Sequence, residues 1–547
     1  MADAAVGEAG QATSCIASKR DYRTRTMSIH REDEDSERSR LLPAQQVPTR
    51  PPLIRRNTLQ SPRSIMVLLL VVVMLTSFGN QLRESPETRI FESVICYRYY
   101  ESADPSKLNA GRNVVGPGAM GGVDEMWCKA DAVQDDLAML DGYQNFLDGF
   151  PALLLALPFG WAADRFGRWP FLFVGLIQIA VRAIWVQLVT WRWQAFDIRV
   201  TWFQSVFALL GGGDATISAY FFTAIADITP EQDRAAAFLR AGAANMAANL
   251  CMPPLSAALM TINPWIPAIM GTVLELLAVA LFLVVPETLD YYRPVSSVES
   301  AGDGPEEAEQ HPDHRPGVAN LLKTQLIAIQ SAISFLTTDW RVPALVLPFA
   351  AHILIANTGR LVLQYVSKRY ALTFAKGTLL VTVRNGVTVL LLFIILPWLS
   401  KTVMRRYGLC IQKKDLYLAR LSQVLLALGW VAVAASPNVV TATIALSIAS
   451  FGGGAALLVR SFLTTLLPSH HIARVYSVIS VIDTLGIMFG APLLAGLFSE
   501  GLALGGGWVG LPFYFIGLLS AFFVAPLFVV GLRKGQGENG STDEAGQ

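Results

Sequence analysis

The stretch Gly160-Trp-Ala-Ala-Asp164-Arg165-Phe-Gly167-Arg168 decides how this chain is read. It is a short charged turn between two apolar runs: residues 150–159 carry no charged side chain, and neither do residues 171–181. Two membrane-length segments joined by so few residues must double back as a helical hairpin, with the charged turn at the membrane surface. Whatever else it does, a turn with two basic residues and one acidic residue helps to set which side of the bilayer it stays on.

Working outward, the whole chain supports lipid as the main solvent. Of 547 residues, 53% are hydrophobic and only 16% are charged, which excludes an ordinary water-soluble domain. A formal net charge of +1 gives no basis for binding nucleic acid or an acidic partner. Cys15, Cys96, Cys128, Cys251 and Cys410 form no CxxC pair and no metal-ligand spacing. Only Cys96 and Cys128 lie in a polar segment outside the expected membrane spans, where a disulfide and two free thiols are equally open readings. The phosphate-binding loop, the HExxH pattern and the Gly-x-Ser-x-Gly nucleophile turn are all missing, so neither an enzyme nor a nucleotide-driven pump is expected. No cofactor or metal is implied.

In chain order, residues 1–63 are polar and without apolar periodicity, and are read as a disordered tail. Arg50, Arg55, Arg56 and Arg63 at its membrane-facing end place it in the cytoplasm. Residues 64–82 form a first charge-free span, followed by a long polar loop holding both Cys96 and Cys128. A second helix over about 133–159 carries Asp141, Asn145 and Asp148 at i, i+4 and i+7, all on one face. Carboxylates are costly against lipid, so that face must look into protein or a watery cavity. The third to sixth helices are expected near 169–190 (with Arg182), 201–224 (with Gly211-Gly-Gly-Asp214), 235–258 (with Arg240) and 266–285 (with Glu275). A polar connector over 290–341 precedes six further apolar segments near 342–367, 378–400, 415–435, 439–466, 475–499 and 508–532. The domains expected are therefore 1–63, a bundle over 64–289, the linker 290–341, a second bundle over 342–532 and a cytoplasmic tail 533–547.

The chain also resembles itself. Gly211-Gly-Gly213 is followed after 21 residues by Arg234, and Gly452-Gly-Gly454 after 20 residues by Arg474. Pro254-Leu-Ser-Ala-Ala-Leu259 lines up with Pro492-Leu-Leu-Ala-Gly-Leu497. Helices four and five thus match helices ten and eleven, a six-plus-six repeat.

The opening stretch, Gly-x-x-x-Asp-Arg-x-Gly-Arg between the second and third apolar runs, resembles the loop signature of the major facilitator superfamily. Pro286-Glu287-Thr288 resembles the close of that family's sixth helix, and residues 92–100 look like fungal permeases. The resemblance covers about residues 64–532. It implies an all-α membrane protein of 12 transmembrane helices, built as two six-helix pseudo-repeats, working as a secondary transporter by alternating access. It further implies that Gly160, Asp164, Arg165, Gly167 and Arg168 form a gate, with Arg234 and Arg474 as partners of Asp164. Asp141, Asn145, Asp148, Asp214, Arg240, Arg360, Arg384, Arg460 and Asp483 fall at depths where such a family binds substrate and coupling ion.

Two ion pairs are expected, Asp214 with Arg240 and Asp483 with Arg460, either fixed or broken by protonation. Arg182 and Glu275 are expected to pair with a neighbour. The triple glycines are expected to be close helix contacts. Arg360, Gln364 and Arg384 are expected to line an outer vestibule. The function implied is proton-coupled efflux of a small organic molecule by a monomer in the plasma membrane, or in the vacuolar membrane, with both termini cytoplasmic. Proton-coupled uptake of an organic anion is the alternative, and a facilitator-shaped sensor the alternative of another class.

Overall fold

The computed structural model describes residues 61–108, 115–230, 233–288, 352–355, 358–407, 411–466 and 469–529. The expected tails and the connector 290–341 lie outside these residues, apart from 61–63. Among the described residues every regular element is helical.

The first helix, α1 (Pro62–Ala103), begins where Ser61 accepts a hydrogen bond from the Ser64 N–H at 3.2 Å and Pro62 takes the first helical position. It does not end at residue 82, as the loss of apolar character there had implied. It runs for 42 residues, roughly 63 Å at the α-helical rise, about twice the hydrocarbon thickness of a bilayer. Arg83, Glu87, Arg89 and Glu92 stay helical because they are buried and paired with one another and with other helices. Pro86 sits inside α1 without breaking it. Its missing N–H leaves the Leu82 carbonyl without its usual partner, and the buried Ser256 hydroxyl donates to that carbonyl at 2.9 Å.

The remaining N-terminal helices are α2 (Asp131–Phe166), α3 (Trp169–Trp191), α4 (Gln204–Gly211), α5 (Asp214–Asp227), α6 (Arg234–Met260) and α7 (Trp265–Phe282). α1 packs chiefly on α7 and α6. The α1–α7 crossing is close: a Cβ at Gly79 would stand 2.6 Å from the Gly271 carbonyl oxygen, and one at Gly271 2.5 Å from that of Gly79. The expected fourth span is broken at its triple glycine. Gly211 does make the close contact, since a Cβ there would reach 2.8 Å from Gly175 Cα. Gly212 and Gly213 instead have φ of 80° and 85°, which ends α4 and lets Asp214 open α5.

The C-terminal set comprises α8 (Thr358–Arg369), α9 (Phe374–Leu390), α10 (Leu396–Tyr407), α11 (Ile411–Ala435), α12 (Val439–Phe451), α13 (Ala455–Leu466), α14 (Ser469–Leu504), α15 (Leu511–Phe522) and α16 (Val524–Val529). A π-helical turn over Leu391–Ile395 joins α9 to α10. Its core gathers Tyr365, Trp430 and Phe513, with the Trp430 and Phe513 rings stacked at 5.5 Å. Nine of the described helical segments are long and apolar enough to cross a membrane.

The two sets meet along α2–α14 and α6–α9. Gly142 and Gly149, two turns apart on α2, let α14 approach: a Cβ would come within 2.8 Å of the Ala495 Cβ and 2.9 Å of the Met488 Cβ, respectively. Asn385 of α9 donates to the Asn249 carbonyl of α6 at 3.0 Å.

Cys96 and Cys128 are bonded, with Cα atoms 5.2 Å apart. The staple ties the projecting end of α1 to the segment before α2. This end is called the disulfide face, and the end carrying Gly160–Arg168 the turn face.

Candidate functional site

Two aromatic contacts bracket the N-terminal helices. Trp191 meets Trp265 at 5.0 Å near the disulfide face, and Trp169 meets Phe282 at 6.0 Å near the turn face. Such rings gather at membrane–water boundaries. Arg182 lies nine residues from Trp191, and Glu275 ten from Trp265, so both sit roughly 15 Å below that boundary, near mid-depth.

Three ionic groups occupy this interior. In the first, Arg83 joins Glu87 one turn on and Glu275 of α7 at 3.2 Å. Glu87 also receives Arg360 of α8 at 3.2 Å, while the other arm of Arg360 holds Asp141 of α2 at 3.0 Å. Gln364, one turn along α8, donates to the second Asp141 oxygen at 3.1 Å. The result is one connected chain, Glu275–Arg83–Glu87–Arg360–Asp141, that crosses from the N-terminal to the C-terminal set. The Glu275, Glu87 and Asp141 side chains are each less than a tenth exposed, so every charge in it depends on its neighbours.

In the second, Arg182 of α3 holds Asp148 of α2 at 2.6 Å and Asp214 at 3.0 Å. The partner expected for Asp214 was Arg240. The glycine break changes this: Asp214 starts a new helix and its carboxylate turns to α3, while Arg240 is exposed on α6. Ser205 of α4 donates to the other Asp148 oxygen at 2.7 Å, and Gln144 to the Ser205 hydroxyl at 2.9 Å. The Asp214 side chain is 70% exposed against 23% for Asp148, so one carboxylate on this guanidinium opens to solvent and the other does not.

In the third, Arg460 of α13 meets Asp483 of α14 at 3.1 Å. Nearby, the half-buried His352 contacts Gln423 at 3.1 Å, a polar pair that the sequence reading passed over.

The predicted face of α2 therefore divides. Asp141 turns to α8, Asp148 to α3 and α4, and Asn145 between them returns its amide to the Asp141 carbonyl at 2.9 Å. A small pocket beneath Arg360 is lined by Asp141, Asn145, Gln364 and Ala491. Arg360 is not a bare cation of a vestibule, because two carboxylates neutralise it. Arg384 lies over the Trp430 ring at 5.5 Å.

At the turn face, Gly167 caps α2 with φ of 107°. A Cβ there would run into the Glu287 carboxylate. That carboxylate accepts the Arg168 N–H at 2.9 Å and the Trp169 N–H at 3.0 Å, capping the start of α3. The Arg168 side chain reaches Asp227 at the end of α5 at 3.3 Å. The two stretches singled out in the sequence, Gly160–Arg168 and Pro286-Glu287-Thr288, thus form one joint. Gly160 has open space around it and Arg165 is exposed. Arg234 opens α6. The side chains of Asp164 and Arg474 lie outside the described residues, so their expected contact is not described.

Under the disulfide, Glu92 is fully buried and takes Lys129 at 2.7 Å, Arg89 at 3.0 Å and Gln134 at 2.6 Å. The other oxygen pair of this cluster, on Glu125, accepts the Phe374 N–H of α9 at 2.6 Å, and Asp131 holds Lys368 of α8 at 2.7 Å. The capped segment therefore also grips the C-terminal set. The sequence places these residues in a long polar loop. The available signal was the opposite charges at helical spacing, Arg83/Glu87 and Arg89/Glu92.

Comparison with known proteins agrees with this geometry. Residues 142–491 match the family model described as Major Facilitator Superfamily. "MFS efflux pump atnC" of Emericella nidulans is 29% identical over 498 residues, covering 89% of this chain and 92% of that protein. "Efflux pump ustT" of Aspergillus flavus is 31% identical over 461 residues, covering 82% of this chain and 85% of that protein. The fold is that of the crystal structure of a D-xylose–proton symporter, with a TM-score of 0.55 at 12% identity, covering 86% of this chain and 99% of that one. With a family match across more than half its length and a relative above 30% identity along most of it, the chain belongs to the major facilitator superfamily.

Proposed function

We propose that this protein is a secondary transporter that exports a small organic molecule through alternating access, driven by inward proton flow. The observation that carries the reading is Arg360, which reaches from the C-terminal set to Asp141 and Glu87 of the N-terminal set. Ion pairs between the sets can be made in one state and broken in another, whereas an apolar seam of the same area would resist opening. The disulfide face is read as external, since disulfides persist in oxidising surroundings, and both termini as cytoplasmic. The names of the two relatives support export. The protein is read as a monomer in the plasma membrane.

Asp214 and Asp483 are the proton carriers in this reading. Each is paired with an arginine, and each is solvent-accessible enough to exchange a proton. Protonating Asp214 would release one arm of Arg182 while Asp148 keeps the other, so the guanidinium is never abandoned in the membrane interior. Uptake of an organic anion is less well supported, because Arg360 already holds two carboxylates.

The test is proton flux in liposomes containing the purified protein, under an imposed pH gradient with candidate solutes on either side. Solute-dependent proton flux that stops in Asp214→Asn or Asp483→Asn, with folding intact, supports coupling through that carboxylate. Unchanged coupling in both variants reduces them to structural ion pairs.

A further inference from the structure

Residues 115–130, between α1 and α2, form a cap at the disulfide face, and its contacts across the seam converge on the turn joining α8 to α9. Phe374, the first residue of α9, is fully buried in one apolar cluster with Phe91, Leu137 and the two bonded cysteines. Lys129 of the cap lies 4.0 Å over its ring. Glu125 accepts the Phe374 N–H at 2.6 Å, so a carboxylate of one set caps a 17-residue helix of the other. Lys368, just before the turn, donates to the Lys129 carbonyl and pairs with Asp131 at 2.7 Å.

Each side of this contact is tied to its own set. On the cap, the disulfide holds Cys128 to α1 and the Tyr100 hydroxyl donates to the Trp127 carbonyl at 3.1 Å. Trp265 of α7 donates to the Pro117 carbonyl at 2.8 Å. On the turn, the Tyr370 hydroxyl donates to the Ser436 carbonyl at 3.0 Å and the Tyr365 hydroxyl to the Val433 carbonyl at 3.1 Å, both at the end of α11. A line of parting therefore runs between Phe374 and the cap. Parting there strands no charge in the cap: Lys129 keeps Glu92 at 2.7 Å and Glu125 keeps Arg89 at 3.3 Å. Lys368 leaves Asp131, whose side chain is 67% exposed, for water. What resists is the withdrawal of a buried ring.

We propose that Phe374 and the cap are the plug and socket of an outer latch on the transport path. In the state that opens the disulfide face, Phe374 leaves the socket with the C-terminal set. The cap stays on the N-terminal set because the Cys96–Cys128 bond holds it there. Lys368 is eight residues beyond Arg360 on α8, roughly 12 Å nearer the disulfide face, so the latch and the Arg360 ion pairs close in series. This rests on the alternating-access reading above and names the residues that must separate at its outer end.

The test is pulsed electron–electron double resonance on the full chain in lipid nanodiscs. Cys15, Cys251 and Cys410 are replaced by serine, and nitroxides are placed on pairs of introduced cysteines. The exposed sites are Met126 on the cap, Ile262 on the N-terminal set, Lys376 in the first turn of α9 and Val440 on the C-terminal set. Met126→Cys with Ile262→Cys should give one distance, as should Lys376→Cys with Val440→Cys. Met126→Cys with Lys376→Cys should give two. Phe374→Ala should raise the open-to-latched ratio on the order of tenfold, as expected for losing a buried aromatic ring. The isosteric Glu125→Gln should move it the same way by less, and unchanged distances within each set report that the variants are folded. With Cys96→Ser and Cys128→Ser, the Met126–Ile262 distance should broaden, because the freed cap follows Phe374 part of the way.

A single Met126–Lys376 distance in the parent and in both weakened variants would overturn the proposal. So would two Met126–Ile262 distances with the disulfide intact. A Met126–Ile262 distance unchanged by removal of the disulfide would overturn the role given to the staple. Ile262→Cys with Val440→Cys separates the latch from the transporter reading. Two distances for that pair beside one for Met126–Lys376 keep alternating access and remove the latch; one distance for both removes the latch and counts against alternating access.

Discussion

Replacing Asp141 by asparagine preserves the shape of the side chain and removes only its charge. The carboxylate takes Arg360 at 3.0 Å and Gln364 at 3.1 Å, while Arg360 keeps Glu87 at 3.2 Å. At an effective dielectric constant of about 20, a charge pair at this separation is worth roughly 5 kcal/mol before desolvation is deducted. Most of that is recovered, because the amide oxygen still accepts a hydrogen bond and the guanidinium can settle on Glu87. A net weakening of about 1.4 kcal/mol is expected, or roughly a tenfold shift of the closed-to-open ratio at the disulfide face.

A cysteine at Asn145, in the pocket beneath Arg360, reads that ratio. Cys15, Cys251 and Cys410 are replaced by serine, and an impermeant maleimide is added on the disulfide face. Labelling of Asn145→Cys should be about tenfold faster with Asp141→Asn than without it. In an Arg360→Gln background the Asp141→Asn change should add nothing, because the partner is already gone. Equal labelling rates with and without Asp141→Asn, or full additivity with Arg360→Gln, would show that this ion pair does not hold the face closed.

Three further outcomes are expected. Gly167→Ala should lower thermal stability by about 1–3 kcal/mol and reduce transport, because φ of 107° disfavours a side chain and the new methyl meets the Glu287 carboxylate; a melting curve matching the parent would refute it. Glu275→Ala leaves Arg83 short of one buried partner and should cost about 3 kcal/mol in a detergent melt, whereas Glu275→Gln should cost clearly less. Cys96→Ser with Cys128→Ser should destabilise the capped segment by about 2–4 kcal/mol, seen as faster protease cleavage near the disulfide face while the helices beneath remain protected.

Much of the architecture could be read before any coordinates. The charged turn, the helix starts at Trp169 and Arg234, and the repeated triple glycines follow from local chemistry, because apolar runs and glycine turns act over a few residues. The end of α1 could not be read that way. A run containing Arg83, Glu84, Glu87, Arg89 and Glu92 looks like an exit from lipid unless its partners are known. Those partners, Asp141, Glu275 and Arg360, are far along the chain. For the same reason Arg240 was a plausible partner for Asp214 on a continuous fourth helix. It ceased to be one when Gly212 and Gly213 took positive φ and turned the carboxylate towards Arg182. Of the pairs between helices, Asp483 with Arg460 was legible and is present, whereas those that join α1 to α7 and α8, and α8 to α2, were not.

The staple between Cys96 and Cys128 also serves as a record of how the chain was threaded. The bond closes only if the segment between α1 and α2 has been delivered to an oxidising compartment. Blocking free thiols in intact cells, then reducing and counting newly released ones, would read the insertion direction of each molecule without a fused reporter. Copies inserted the wrong way round would yield two extra blocked thiols, so the same experiment measures how faithfully an expression host inserts the protein.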